Sequence, residues 1–386
     1  MYRLTTEEQG LVARAAALAD EFLAPHAVRV DRDGAFPAES LRALAEAGFF
    51  GLLVPVEHGG LGVRLRAAMA VLEELGQRCG STAMVFLMHL CGSSCYVAEA
   101  ARNPEGPFPA LLREVAAGRH LSTLAWSEKG SRSHFWAPVG TARAEGDVVV
   151  LDAQKSWVTT AGHADGYVAT SVSVAGEGID LYLVKAGDPG WTISGGWDGV
   201  GLRGNASNPM TLAGCRIPAE RRMGPAGGAL DIMLGVVLPV FQLGCAAIAT
   251  GLAEAGIRLT TGHLTASRLG HLDAALSDLP VLRARLAQMR ITTDRARAHI
   301  SVTLDSVEAP TEATTLLVLE SKASAADAAR ETTELAMLAC GGAAFSRHLE
   351  VERCFRDCRA MSVMAPTSDA IREFIGRALV GLPVFG

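Results

Sequence analysis

GDVVVLDAQKSWVTT, residues 146–160, has three consecutive valines after its opening Gly-Asp and carries few residues that favour a helix. Branching at Cβ stiffens such side chains and suits them to a pleated strand. Glu145-Gly146-Asp147 separates this run from TARA just before it, which predicts a hairpin turn. Short runs of the same kind continue outward as GYVATSVSV, GIDLYLVKAG and PMTLAGCRI. On both sides the period changes. Leu41 and Leu44 before the strands, and Leu282, Leu286 and Met289 after them, fall three and four apart, as on one face of a helix. Residues 1–118 are therefore expected to form an N-terminal helical domain, 119–222 a middle antiparallel β-domain and 223–386 a C-terminal helical bundle. Helices, then strands, then helices predict an α+β fold, mainly α. The missing βαβ alternation argues against a doubly wound nucleotide-binding sheet.

The chain has 386 residues, 49% hydrophobic and 20% charged, with a formal charge of −6 and pI near 6.0. With no basic run, a small-molecule or protein partner is expected and a nucleic acid is not. Eight cysteines without a Cys-x-x-Cys pair predict a reducing compartment and no structural metal. The start, MYRLTTEEQGLVARAAALADEF, reads as an amphipathic helix opened by Thr5, Thr6 and two glutamates rather than as a signal peptide, so the expected location is the cytoplasm. Residues 232–253 run for 22 positions without a charge, long enough to cross a bilayer. Pro239, Gln242 and the small residues within them predict a helix buried in a bundle or a subunit interface instead, and no membrane partner.

Four stretches carry candidate chemistry. LAWSEKGSRSHFW (124–136) offers the hydroxyls of Ser127, Ser131 and Ser133, suited to a polar ring edge or a thioester tail; an ordinary polar loop has the same composition. KSWVTTAG (155–162) places an indole, Trp157, beside the hydroxyl of Thr159, which suits a flat cofactor as well as it suits a β-domain core. CGGAAFSRHLEVERCFRD (340–357) pairs Gly341-Gly342, where another backbone or a pyrophosphate can approach, with Glu352, Arg353, Arg356 and Asp357, a set that suits a salt-bridge network. PTSDAIREF (366–374) reads as a helix start capped by Thr367, Ser368 and Asp369, a place where an anionic ligand can also sit.

In order and spacing these stretches, with PVEHGGLG and GLRGNASNPMTLAGCRIPAERRMG, resemble the acyl-CoA dehydrogenase superfamily over essentially the whole chain. The resemblance implies an N-terminal helical domain, a middle β-domain and a C-terminal four-helix domain, in a homotetramer or homodimer holding FAD. It implies that Ser127 bonds the isoalloxazine ring, that Ser133 lies near the thioester, and that Trp157 packs on the flavin while Thr159 bonds its N5 edge. It also implies that Arg203 lies close to the cofactor, that Gly341 and Gly342 let a neighbouring subunit approach the FAD pyrophosphate, and that Thr367 and Asp369 contact the distal part of FAD. An electron-transferring flavoprotein or a flavin reductase is the implied redox partner.

The resemblance breaks at the base. Where the family has Tyr-Glu-Gly-Thr, this chain has Met364-Ala365-Pro366-Thr367, and the alternative place for the glutamate falls near Val237. Leu338 replaces the glutamine before the Gly-Gly, Arg132 replaces a small loop residue, and the flavin contact near residue 268 is altered to SRLGH. A methyl group takes no proton. Three functions are compatible: a desaturase of an acyl thioester on CoA or a carrier protein, with His89 or His134 as relocated base; a reduced-flavin monooxygenase; and a non-catalytic flavoprotein subunit. The first is the expected one.

Overall fold

The computed structural model describes residues 2–131 and 134–384. Helix α1 (Thr6–Leu18) starts as its sequence predicts: the Thr5 hydroxyl accepts from the Glu8 N–H and the Glu8 carboxylate accepts from the Thr5 N–H, so two free donors of the first turn are satisfied reciprocally. A π turn over Ala19–Leu23 leads into α2 (Ala24–Asp33), then α3 (Ala38–Glu46), α4 (Leu65–Gly76), α5 (Gly80–Arg102) and α6 (Phe108–Ala116).

The strands are β1 (Ser122–Ala125), β2 (Thr141–Glu145), β3 (Val148–Val158), β4 (Gly166–Val172), β5 (Ile179–Lys185), β6 (Trp191–Ile193), β7 (Asn208–Pro218) and β8 (Arg222–Met223). Among the described residues they form two four-stranded sheets, ordered β1-β4-β5-β8 and β2-β3-β7-β6. The β2–β3 hairpin turns at Gly146, whose φ of +67° suits glycine. One pairing differs from the antiparallel expectation: β1 runs parallel to β4. A parallel pair needs a long connection rather than a tight turn, and the β2–β3 hairpin lies within that connection.

Val149, Leu151, Met210 and Leu212 of one sheet meet Tyr167, Ala169, Tyr182 and Val184 of the other in a common core. The alternating neighbours Val168, Leu181 and Leu183 join the core that holds α4, α5 and α8. Strands β4 and β5 thus have both faces covered, which is why they read as continuous apolar runs.

The chain then returns to helices: α7 (Ala229–Ile232), a π turn over Met233–Val237, and α8 (Leu238–Ala266). A short hairpin of β9 (Arg268–Leu269) and β10 (Ala274–Ala275) leads to α9 (Pro280–Glu308) and α10 (Thr314–Cys340). The end is built from α11 (Gly342–Phe345), α12 (Val351–Asp357), α13 (Ala360–Val363) and α14 (Ser368–Leu379). Helix α8 packs against α4, α5, α9 and α10. The most apolar windows of α5 and of Ala229–Ala266 are 89% and 72% buried, so the uncharged stretch spends its surface on helix packing, as its small residues predict. A side chain at Gly251 would stand 2.3 Å from the Glu73 carbonyl, so only glycine lets α8 lie this close to α4.

Charged residues join the regions. Buried Arg66 of α4 pairs with Asp305 and Glu308 of α9. Arg356 of α12 holds the Asp31 carboxylate of α2 at 2.6 and 2.8 Å and also pairs with Glu352. The next residue, Asp357, accepts from the Leu202 N–H at 2.7 Å. The predicted salt-bridge network is therefore the joint between all three regions. All eight cysteines are buried free thiols.

Candidate active site

A cleft of about 860 Å³ opens between the β-sheets and the C-terminal helices. One wall comes from chain segments that leave the sheets. Ser127 follows β1, and its carbonyl accepts from the Ser156 N–H at 2.9 Å. Near the end of β3 the pairing with β7 breaks register between Lys155 and Val158, and Trp157 takes a φ of +57°. The break sends neighbouring side chains apart. Lys155 turns inward to a fully buried ion pair with Glu128 and donates to the Thr170 carbonyl at 2.6 Å. Trp157 turns outward onto the cleft, 66% exposed, its ring edge-on to Trp197 at 5.9 Å. Thr159 lines the same wall and shares a 2.9 Å hydrogen bond with Ser207.

Glu128 also accepts the Val139 and Gly140 N–H groups at 2.6 and 2.7 Å. It therefore fixes both ends of the loop that carries Ser127. Burial pulls the Lys155 pKa down, and the Glu128 carboxylate in contact with it opposes that shift. The contact holds the two as an ion pair, each charge compensating the other where water is absent.

The opposite wall is apolar: Met233, Val237 and Phe241 entering α8, and Met364 and Ala365 from the segment after α13, with Met88 of α5 alongside. The Met364–Thr367 segment is held by buried Lys322 of α10, which donates to the Met364 and Pro366 carbonyls at 2.7 Å each.

Among the described residues, three cleft-lining polar groups have no partner: the Trp126 indole N–H, the Asn205 side-chain carbonyl and the Gln242 amide. Buried polar groups are ordinarily paired. The Trp126 and Asn205 groups share the cleft with the open indole of Trp157 and the Thr159–Ser207 hydroxyls, which fits a flat ring system with polar edges, whereas Gln242 lies on the apolar wall.

Residues 5–102, 123–215 and 231–380 match the models of the acyl-CoA dehydrogenase N-terminal, middle and C-terminal domains. The chain belongs to the acyl-CoA dehydrogenase family. It is 28% identical to the probable acyl-CoA dehydrogenase fadE25 of Mycobacterium leprae, with 98% of this chain and 97% of that protein covered. The fold matches a chain from work on the electron transferring flavoprotein of Acidaminococcus fermentans with a TM-score of 0.92, at 23% identity and covering 99% and 100% of the two chains. It matches the glutaryl-coenzyme A dehydrogenase–glutaryl-CoA complex at 0.90, with 22% identity and 99% and 97% covered.

This acyl-CoA dehydrogenase-family protein is accordingly a flavin-dependent oxidoreductase with FAD as its cofactor, as the sequence motifs imply. The expected site residues fall in different places. Ser127, Trp157 and Thr159 line one cleft. Arg203 lies at its margin, with its guanidinium committed to the Asp31 and Gly199 carbonyls and to Asp198. Gly341 and Gly342 follow α10, apart from the cleft, and a Cβ built on either would meet nothing within 4 Å. Thr367 caps α14, accepting from the Ala370 N–H at 3.2 Å, and Asp369 is exposed beside Arg372. Ser133 and Arg132 lie outside the described residues.

Neither candidate histidine lines the cleft. His89 is wholly buried: its Nε2 is 3.0 Å from the Phe50 carbonyl, and its Nδ1 accepts from the Ser122 N–H at 3.2 Å. Burial pushes its pKa down to about 4. A buried ring with both nitrogens engaged is a core histidine, which corrects the expectation that it reaches substrate. His134 is exposed on the Ser127 loop, its Nδ1 3.1 Å from the Ser131 carbonyl, next to cleft-lining Phe135. Trp126, Trp197, Asn205, Phe241 and Gln242 are cleft residues that sequence reasoning misses; a lone glutamine in a 22-residue uncharged run is the one signal available.

Proposed function

We propose that this protein α,β-dehydrogenates an acyl thioester, carried on CoA or a carrier protein, without a base at residue 365. The observation that carries the reading is the opposition, across one cleft, of Trp157, Thr159 and Ser127 to Met364, Ala365 and Val237. FAD held against this wall would supply the two-electron oxidant for the β-carbon. Trp157 covers a ring face, and the Ser127 and Thr159 hydroxyls orient ring edges. Arg203, Thr367 and Asp369 act in more distant cofactor contacts, and Gly341 and Gly342 receive a neighbouring subunit in a homotetramer. The apolar wall excludes water and holds the acyl chain.

The α-proton needs an acceptor. Of the cleft-lining carboxylates, Glu128 is committed to Lys155 and two backbone N–H groups, and Asp198 is paired with Arg203. The candidate left for that role is His134, one residue before cleft-lining Phe135 on the Ser127 loop, its ring exposed and outside the cleft lining. The electrons then leave to an electron-transferring flavoprotein. Anaerobic mixing of the flavin-loaded protein with a panel of acyl-CoA and carrier-bound thioesters tests this: the flavin band bleaches with at least one of them, and His134→Asn slows that bleaching.

The methyl of Ala365 and the isopropyl of Val237 favour a second reading, oxygen chemistry on a reduced flavin that needs no α-proton removal. Its mark is transfer of one atom from ¹⁸O₂ into product, dependent on a flavin reductase, with no thioester bleaching the oxidised flavin.

A further inference from the structure

Gln242 stands on α8 within the uncharged stretch, wholly buried, and among the described residues neither its amide N–H₂ nor its carbonyl has a partner. Because both atoms are unpaired, the orientation assigned to the amide does not affect this observation. The residue lines the cleft on its apolar wall, among Val237, Leu238, Phe241 and Met88. An amide buried without partners is unfavourable in the ligand-free protein, and a leucine there would avoid the cost. The feature makes physical sense if an occupant supplies the missing bonds.

We infer that Gln242 reads a neutral hydrogen-bonding group on the acyl chain, so that the preferred substrate carries a hydroxyl or an amide on its acyl part rather than being a plain hydrocarbon. This rests on the reading of the cleft as an acyl thioester site. Neutrality follows from the wall itself: the uncharged stretch of α8 brings no counter-ion, the one cation behind it, buried Lys322, is committed to the Met364 and Pro366 carbonyls, and the charged cleft-lining residues Glu128, Lys129 and Asp198 belong to the opposite side. A charged group beside Gln242 would lose its water without gaining a counter-ion. Selection is expected to be strong, because a site with buried polar groups rejects an analogue that leaves them unpaired.

The test uses the flavin-loaded protein and its Gln242→Leu variant with matched acyl-CoA pairs of equal heavy-atom number. One member is saturated and the other carries a hydroxyl, moved along the chain from C3 to C6. Binding is read from perturbation of the flavin spectrum, and turnover from anaerobic bleaching. The unmodified protein is expected to prefer one hydroxylated position by about tenfold or more, and Gln242→Leu to abolish or invert that preference. The variant should keep its full flavin content and melt, ligand-free, at the same or a higher temperature. Equal response to both members of every pair, or a preference that survives Gln242→Leu, overturns the assignment while leaving thioester dehydrogenation standing. Loss of flavin or a lower melting temperature in the variant overturns it in favour of a cofactor contact or a structural amide. No response to any thioester removes the dehydrogenase reading and this substrate class together.

Discussion

The ammonium of Lys322 donates to the Pro366 carbonyl at 2.7 Å, and its second bond, to Met364, makes one buried side chain bracket Ala365. Lys322→Met keeps the bulk of the stem but leaves two carbonyls without their donor. Hydrogen bonds from a charged group contribute about 1.5–3 kcal/mol each, and a loss of about 3 kcal/mol in urea unfolding is expected. Since Met364 and Ala365 line the cleft, thioester affinity should fall as well, while flavin content stays unchanged. Unaltered affinity in the folded variant would show that the segment is held by other contacts.

Ala365 lines the cleft, and the family resemblance of the sequence implies a glutamate there. Ala365→Glu is expected to raise the rate of flavin bleaching by about 10²-fold, the low end of what a positioned base contributes, because Pro366 restricts the backbone beside it. Ala365→Glu with Pro366→Gly should gain more. Rapid mixing under anaerobic conditions measures both, and equal rates in all three proteins would place the reacting carbon elsewhere.

His89 and His120 are buried and held neutral, each with its pKa pushed down to about 4 by burial. Their folded values lie below the unfolded one of about 6.5, so the stability they contribute is present above pH 6.5 and is lost as pH falls toward 4. At pH 5 each costs about 2 kcal/mol relative to pH 7. His89→Gln and His120→Gln should each flatten the decline of unfolding free energy between pH 7 and 5 by about that amount. A profile that keeps its full slope in both variants would mean that neither ring resists protonation in the folded protein.

The Glu128–Lys155 pair is fully buried. Glu128→Gln strands the lysine and loosens the loop that carries Ser127, with an expected cost of about 3–5 kcal/mol. The double change Glu128→Leu with Lys155→Met removes both charges and should recover part of the loss. Chemical unfolding of the three proteins decides; a single variant as stable as the original would show that Lys155 folds uncharged.

What the sequence made legible was local. The valines of β3, the Thr5–Glu8 box and the spacing of Leu282, Leu286 and Met289 each declare an element within a few residues, and Trp157 and Thr159 sit two apart at one strand end. What stayed hidden depends on partners far along the chain. His89 looks available until Phe50 and Ser122, 39 and 33 residues away, occupy its nitrogens. The parallel β1–β4 pairing and the cleft roles of Asn205, Phe241 and Gln242 likewise arise only when separate regions meet. The π turns at Ala19–Leu23 and Met233–Val237 each end two residues before a proline, Pro25 and Pro239, whose missing N–H is the local signal of them.

Three of the five tryptophans, Trp126, Trp157 and Trp197, line the cleft. The intrinsic ultraviolet fluorescence of the protein therefore originates largely from the walls of its own binding site. Trp157, open to solvent, emits to the red, and Trp126, enclosed, to the blue. A flavin held in the cleft would absorb in the range of that emission and drain it by energy transfer. The molecule carries its own optical gauge of occupancy, dim when filled and bright when emptied, which follows cofactor release without a label and whichever thioester the site accepts.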